Sequence, residues 1–285
     1  EYAESLGLGL STFVSVGNKA DISGNDLLHY WEADAGTDVI LLYLESYGNP
    51  KKFSRIARRV GQKKPVVVVK SGRSSAGARA TSSHTGALIA ASDITVDALF
   101  RQSGVIRTDT LEELFDVAAL LANQPLPKGK HVGIITNAGG PGILCADACE
   151  ARGLLIPLLS EDNQQKLRQK LFPSASTANP VDLIAQATAD HYRFAIETVA
   201  GDPHIDSLIV IFTPPLATRA EDVASAIMEE AKKIRRSKPV LTVFVSPHSA
   251  PLELNSEQLR IPCYRFPETA AIALARAARY QDWCG

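Results

Sequence analysis

The chain has 285 residues, 45% of them hydrophobic and 21% charged, with a formal net charge of -1. That length leaves ample chain for a buried core, in one large or two medium domains. A charge balance so close to zero gives no electrostatic footprint for nucleic acid or an anionic membrane, and no apolar run approaches the roughly 18 to 20 residues that span a bilayer. The N-terminus has no basic region followed by an apolar one, so a cytoplasmic protein is expected. The cysteines Cys145, Cys149, Cys263 and Cys284 are too scattered for a disulfide framework or a zinc site and are read as reduced thiols, with no metal site expected. The chain starts at Glu1 and its only methionine is Met228, so it is expected to be a piece of a longer polypeptide.

Short β-rich runs alternate with segments of helical period, the pattern of a parallel sheet covered by helices. Strands are expected at STFVSV (11–16), DVILLYLE (38–45), PVVVVK (65–70) and VIRT (105–108), with helices near 24–35, 50–61, 92–103 and 110–123. PLPKGK (125–130) breaks the pattern. The alternation then resumes with strands at 131–137, 206–213, 239–245 and 262–266, and helices near 141–152, 160–171, 189–200, 218–236 and 268–280. The expected architecture is α/β: two doubly wound parallel-sheet domains, about 1–124 and 131–285.

In open α/β sheets the ligand site lies beyond the carboxyl ends of the strands. Glu45-Ser46-Tyr47-Gly48 ends one strand, and a loop rich in Ser, Ala and Gly around His84 ends the next. Asn137-Ala138-Gly139-Gly140-Pro141-Gly142 ends the first strand of the second domain, Thr213-Pro214-Pro215 another, and Ser246-Pro247-His248 a third. In NAGGPG the glycines let backbone approach a ligand, Pro141 suits a first helical turn, and the helix start presents unpaired N–H groups. That makes an anion site, or an ordinary tight strand-to-helix turn. It lacks the lysine of a P-loop and the spacing of GxGxxG, so nucleotide binding there is not indicated.

His84 stands in SSHTGAL, with hydroxyls at Ser82, Ser83 and Thr85, a turn at Gly86 and small residues that leave the ring accessible. A neutral imidazole is a nucleophile through one nitrogen if a carboxylate holds a proton on the other. Glu45, ending the neighbouring strand, is the candidate by topology. The plainer readings are a hydrogen-bonded loop histidine and a solvated strand-end charge.

KSGRSSAGARATSSHTGALIA, with GLGLSTFVSVGNKADISGNDLL and LLYLES before it, resembles the second domain of the NDP-forming acyl-CoA synthetases, relatives of the succinyl-CoA synthetase α subunit. ITNAGGPGILCADACEARGL, ANPVDL and IVIFTPPLATRAEDVASAI are similar to the domain that ends the succinyl-CoA synthetase β subunit. The resemblance implies that an acyl phosphate passes its phosphoryl group to His84, oriented by Glu45, and that phosphohistidine then charges ADP or GDP while CoA takes the acyl group. It places Asn137, Gly139, Gly140 and Gly142, with Ser83 and Gly86, around the phosphate, and Thr213 and Pro214 in a loop near the acyl phosphate. It implies no covalently bound cofactor. The substrates are CoA and ATP/ADP or GTP/GDP, with Mg2+ on an ATP-grasp domain that lies elsewhere. A CoA-binding Rossmann domain is expected before Glu1, an ATP-grasp domain or subunit as partner, and an oligomer as the assembled state. Two alternatives stay open: the synthetase-like regulatory part of a protein lysine acetyltransferase, and a non-catalytic scaffold domain. The intact SSHTGAL favours the ligase.

Overall fold

The computed structural model describes residues 2–17, 21–46, 48–74, 76–77, 93–215, 218–234, 237–245 and 250–285. They divide into two compact units, Glu1–Ala118 together with Asp282–Gly285, and Ala119–Gln281.

In the first unit a helical turn α1 (Tyr2–Ser5) precedes α2 (Gly24–Ala33), β1 (Ile40–Leu44), α3 (Pro50–Gly61), β2 (Val66–Lys70), α4 (Asp93–Gln102), β3 (Val105–Thr108) and α5 (Leu111–Asn123), which runs on into the second. The strands form a parallel sheet in the order β1-β2-β3. The central strand VVVVK buries its four valines, as a strand flanked on both edges and covered on both faces must. In β1 the alternation buries Ile40, Leu42 and Leu44 and exposes Tyr43. Phe53, Ile56, Ala57 and Val60 recur at helical spacing on α3 and pack into this core, Phe53 edge-on to Phe100 of α4. Asn49 caps α3 by accepting a hydrogen bond from the Lys52 amide at 3.0 Å, and Pro50 fills the first turn.

The expected strand at 11–16 is absent: residues 11–17 join no sheet, and Phe13 and Val14 are exposed. STFVSV has strand composition, but a strand also needs a neighbour to take its backbone hydrogen bonds, and among the described residues this stretch has none.

The second unit holds β4 (Val132–Thr136), α6 (Gly139–Glu150), α7 (Glu161–Lys170), β5 (Val181–Asp182), α8 (Ala189–Ala200), β6 (Ser207–Phe212), α9 (Ala220–Ile234), β7 (Val240–Phe244), a 3-10 turn at Leu252–Leu254, β8 (Cys263–Tyr264) and α10 (Pro267–Cys284). Its parallel sheet runs β5-β4-β6-β7-β8. Counted within the unit this is the order 2-1-3-4-5 of doubly wound flavodoxin-like sheets, whose switch point falls between β4 and β6. β4, β6 and β7 are buried along their whole length. The two-residue β5 was not expected from sequence. It pairs Ile135 with Val181 and Thr136 with Asp182. The α/β class with two parallel sheets is the architecture expected from the alternating pattern.

Candidate functional site

In the first unit the parallel register sets Leu44 opposite Lys70 and Val69 opposite Thr108, so the carboxyl ends of all three strands line up. Glu45 follows β1 directly. It is half-buried and has no hydrogen-bond or ion-pair partner among the described residues. The amide of Ser71 donates to the Leu44 carbonyl at 3.0 Å, which carries the pairing one residue past β2. His84, Ser83 and Gly86 lie outside the described residues.

The two ends of the stretch that holds them carry a charged cluster that sequence reading missed. Arg107, the third residue of β3, is only 8% exposed. Its guanidinium pairs with the Asp93 carboxylate, donates to the Asp93 carbonyl at 3.3 Å and stands 3.6 Å from Asp97. Arg73, on the other side of the stretch, lies 3.6 Å from Asp93 and pairs with Asp109. Burial works against ionisation of Asp93, but the Arg107 and Arg73 cations outweigh it and hold its carboxyl below the usual range. Lys70 ends β2 with its ammonium donating to the Ser71 carbonyl at 2.9 Å. Burial first, and then the Arg107 cation, pulls Lys70 below the ordinary lysine range. The sequence signal was present as a cation at the end of each of two strands and an acid opening α4, but only the register brings them together.

In the second unit β4 leads straight into α6. The buried Thr136 hydroxyl accepts from the Ala138 amide at 3.0 Å and faces the Ala138 carbonyl at 2.9 Å. Asn137, 2% exposed, bridges to the end of β6: its Oδ1 accepts from the Thr213 amide and its Nδ2 donates to the Thr213 carbonyl, both at 2.8 Å. Asn137 and Thr213, read from sequence as two separate strand-end residues, are thus joined at the switch point of the sheet. Pro214 follows Thr213 on the surface. The Thr213 hydroxyl is buried without a hydrogen-bond partner among the described residues.

Ala138 is the N-cap of α6, in extended backbone, with no side chain capping the helix. The first amides of α6, at Gly139 and Gly140, therefore sit at a helix start where intrahelical partners do not exist. A Cβ on Gly140 would meet nothing within 4 Å, which leaves that face of the turn open. A Cβ on Gly142 would come within 2.9 Å of Thr136 Cγ2, so Gly142 is needed for close packing rather than for ligand access.

A Cβ on Gly139 would lie 3.2 Å from Asp182 Oδ2. Asp182 is a second residue without a role from sequence alone: it ends β5 beside the helix start, and its other oxygen accepts from the Ile184 amide at 3.0 Å. Ile184 has a φ of 62°, strained for a β-branched residue. Asn179 fixes this segment, accepting from the Ile134 amide at 3.0 Å and donating to the carbonyls of Val132 and Pro157 at 2.9 and 2.8 Å. ANPVDL is therefore a structural tie between the β4 edge and the α6 start. Ser246, Pro247 and His248 lie outside the described residues.

These units, with their hydrogen-bonding groups gathered at strand ends, belong to a class of α/β proteins built to work at the carboxyl edge of parallel sheets. Residues 1–121 match the succinyl-CoA ligase like flavodoxin domain and residues 132–283 the Ligase-CoA domain, so the chain belongs to the succinyl-CoA ligase-like family of CoA ligases. It is 38% identical over 280 residues to the acetate–CoA ligase [ADP-forming] I subunit alpha of Pyrococcus furiosus, covering 97% of this chain and 60% of that one. It is also 38% identical to the acetate–CoA ligase [ADP-forming] of Methanocaldococcus jannaschii, covering 98% of this chain and 40% of that protein. A solved structure of a Candidatus Korarchaeum cryptofilum acetyl-coenzyme A synthetase in complex with phosphate and ADP superposes with a TM-score of 0.91 at 33% identity, over 99% of this chain and 61% of that one. The chain thus spans about three fifths or less of these relatives.

Proposed function

We propose that this chain is the phosphoryl-carrying part of an NDP-forming acyl-CoA synthetase, with His84 as the carrier and Glu45 as the group that makes it competent. The observation that carries the reading is the position of Glu45. A half-buried carboxylate without a partner among the described residues ends β1, beside the strand that leads into SSHTGAL. The relatives' activity as ADP-forming ligases supports the same reaction here.

In the acid-forming direction phosphate first displaces CoA from acyl-CoA to give acyl phosphate. The unprotonated ring nitrogen of His84 then attacks phosphorus, and the bond from phosphorus to the acyl oxygen breaks. The carboxylic acid leaves as its anion with that electron pair. Glu45 holds the proton on the other ring nitrogen and offsets the positive charge that develops on the ring. In the second half an oxygen of the nucleoside diphosphate attacks phosphorus, the N–P bond breaks, and the imidazole recovers its lone pair. The helix start at Gly139 and Gly140 is proposed as a phosphate-binding element, since a helix start contributes about 0.3–2 kcal/mol against an anion. Asn137 shapes that turn and fixes Thr213, whose loop lies toward the acyl group. Ser83 and Gly86, flanking His84 in sequence, are assigned by the same reading to the phosphate. CoA binds to a Rossmann domain, ADP or GDP with Mg2+ to an ATP-grasp domain or subunit, and the working enzyme is an oligomer.

The test is labelling of the full-length protein with radioactive ATP in the presence of its ATP-grasp domain. We expect label that is acid-labile and base-stable, as a phosphoramidate is. His84→Asn should abolish it, and Glu45→Gln should slow it on the order of 100-fold or more with the fold intact. Label retained in His84→Asn would move the phosphate to another residue and end this mechanism.

A further inference from the structure

Seven of the fourteen residues from Lys51 to Lys64 are Lys or Arg, and none is acidic. On the side of α3 toward α2, each cation has an acceptor. Lys52 pairs with Asp26 at 3.2 Å, Arg59 and Lys63 both pair with Glu32 at 2.7 Å, and Lys64 donates to the Trp31 carbonyl at 2.8 Å, closing the end of α2. On the side toward α4 the pattern stops. Lys51, Arg55 and Arg58 are exposed, form one stripe at i, i+4 and i+7, and have no ion pair or hydrogen bond among the described residues. Both acids on α4 are committed elsewhere, Asp97 to Arg101 at 2.9 Å and Arg107 at 3.6 Å, and Asp93 to Arg107 and Arg73. Like charges at this spacing repel one another along a helix.

These three cations, with Pro50, Ser54 and Leu99, line an open groove of about 470 Å³ between α3 and α4. That volume lies in the range of small-molecule sites, and the lining sets the three cations of α3 against Leu99 of α4, with Pro50 at the start of α3 as a second apolar residue. Arginine forks match phosphate oxygens in two-point contacts, and the stripe rises about 10 Å from first to last cation, enough to engage more than one phosphate group.

The geometry points to a second ligand site, distinct from the strand-end residues assigned to phosphoryl transfer: a groove for a small anion with two or more phosphate groups joined to a less polar body. Pro50 and Leu99 meet the body, while Arg55, Arg58 and Lys51 meet the phosphates. The site is solvent-open, so its affinity falls with added salt. An acidic polypeptide would use the charges but make no use of Leu99 and Pro50.

The experiment is a calorimetric titration of the full-length protein with inorganic pyrophosphate and with ADP at low salt, comparing wild type, Arg55→Gln/Arg58→Gln and Arg55→Lys/Arg58→Lys. All changes are on an exposed stripe, and circular dichroism checks that the helix persists. We expect the glutamine variant to lose one saturable site, or to weaken it at least 10-fold, and the lysine variant to keep it. Labelling of His84 should be unchanged, which separates this site from the phosphoryl carrier. An unchanged number and strength of sites in the glutamine variant overturns the proposal. So does an eight-residue glutamate peptide that binds the stripe more tightly than pyrophosphate, which would make the groove a protein-docking surface.

Discussion

Near the end of β3 in the first unit a guanidinium ties the strand to its surroundings, whereas at the end of β4 in the second a carboxamide does so. Arg107 reaches Asp93 and Asp97, while Arg73 reaches Asp93 and Asp109, so three chain segments are held by ion pairs whose carboxylates are all more than a third exposed. Asn137 reaches the Thr213 backbone with two neutral hydrogen bonds from a nearly closed position. The first arrangement is adjustable by solvent and ions, and the second is not. A charged tie suits the root of a long strand-end connection such as 71–92. A neutral tie suits a turn that must present backbone amides in one fixed geometry.

The largest effect that separates the two should come from Asn137→Ala, which removes both bonds at once and leaves the Thr213 amide and carbonyl to find other partners. We expect a loss of about 2–4 kcal/mol in denaturant melts followed by circular dichroism, little changed between 0.1 and 1 M salt. A strong salt dependence would break the distinction.

Arg107→Ala should cost less, about 1–3 kcal/mol, and the cost should shrink in 1 M salt because the partner carboxylates are partly solvated. The protein's two tryptophans, Trp31 and Trp283, both belong to the first unit, so their fluorescence reads this unit without the other. A cost independent of salt would mean that Arg107 acts through packing.

The smallest effect concerns a buried carboxyl close to two other acids. Asp116 on α5 is pushed up to about 7, by burial first and then by the neighbouring Glu112 and Glu113. A carboxyl whose folded pKa is raised binds its proton more tightly in the native state. Stability therefore falls as pH rises from about 4 to about 7, and the loss is complete above that. Asp116→Asn should stabilise by about 1–2 kcal/mol at pH 8 and by almost nothing at pH 4. A gain that is equal at both pH values would refer the effect to packing instead.

Much of the architecture was legible because periodicity is local. The helices at 50–61 and 189–200 and the strand at 105–108 have the bounds their patterns indicate. What failed depends on neighbours. STFVSV reads as a strand but lacks a partner, and Val181–Asp182 is a strand only because β4 lies beside it. At the candidate site the position of the NAGGPG turn at a strand end was legible, while its link to Thr213 through Asn137 shows only in the structure. The Arg107 cluster does not, because Arg73, Asp93 and Arg107 are far apart in sequence and meet only through the β2–β3 register. Asp182 was hidden for the same reason: nothing in NPVDL says that its carboxylate stands next to Gly139.

The last four residues belong to the first unit although the helix that carries them starts in the second. Trp283 lies against Gly61 and Gly104: added Cβ atoms would come within 3.4 and 2.5 Å of its ring, the second at a φ of 69° that already favours glycine. The first unit is therefore discontinuous, sealed by an indole delivered from the far end of the chain. Any expression boundary drawn near residue 120 would omit this plug and expose the seat at Gly104. A fragment meant to isolate the histidine stretch needs the terminal segment supplied in trans, or grafted back by circular permutation.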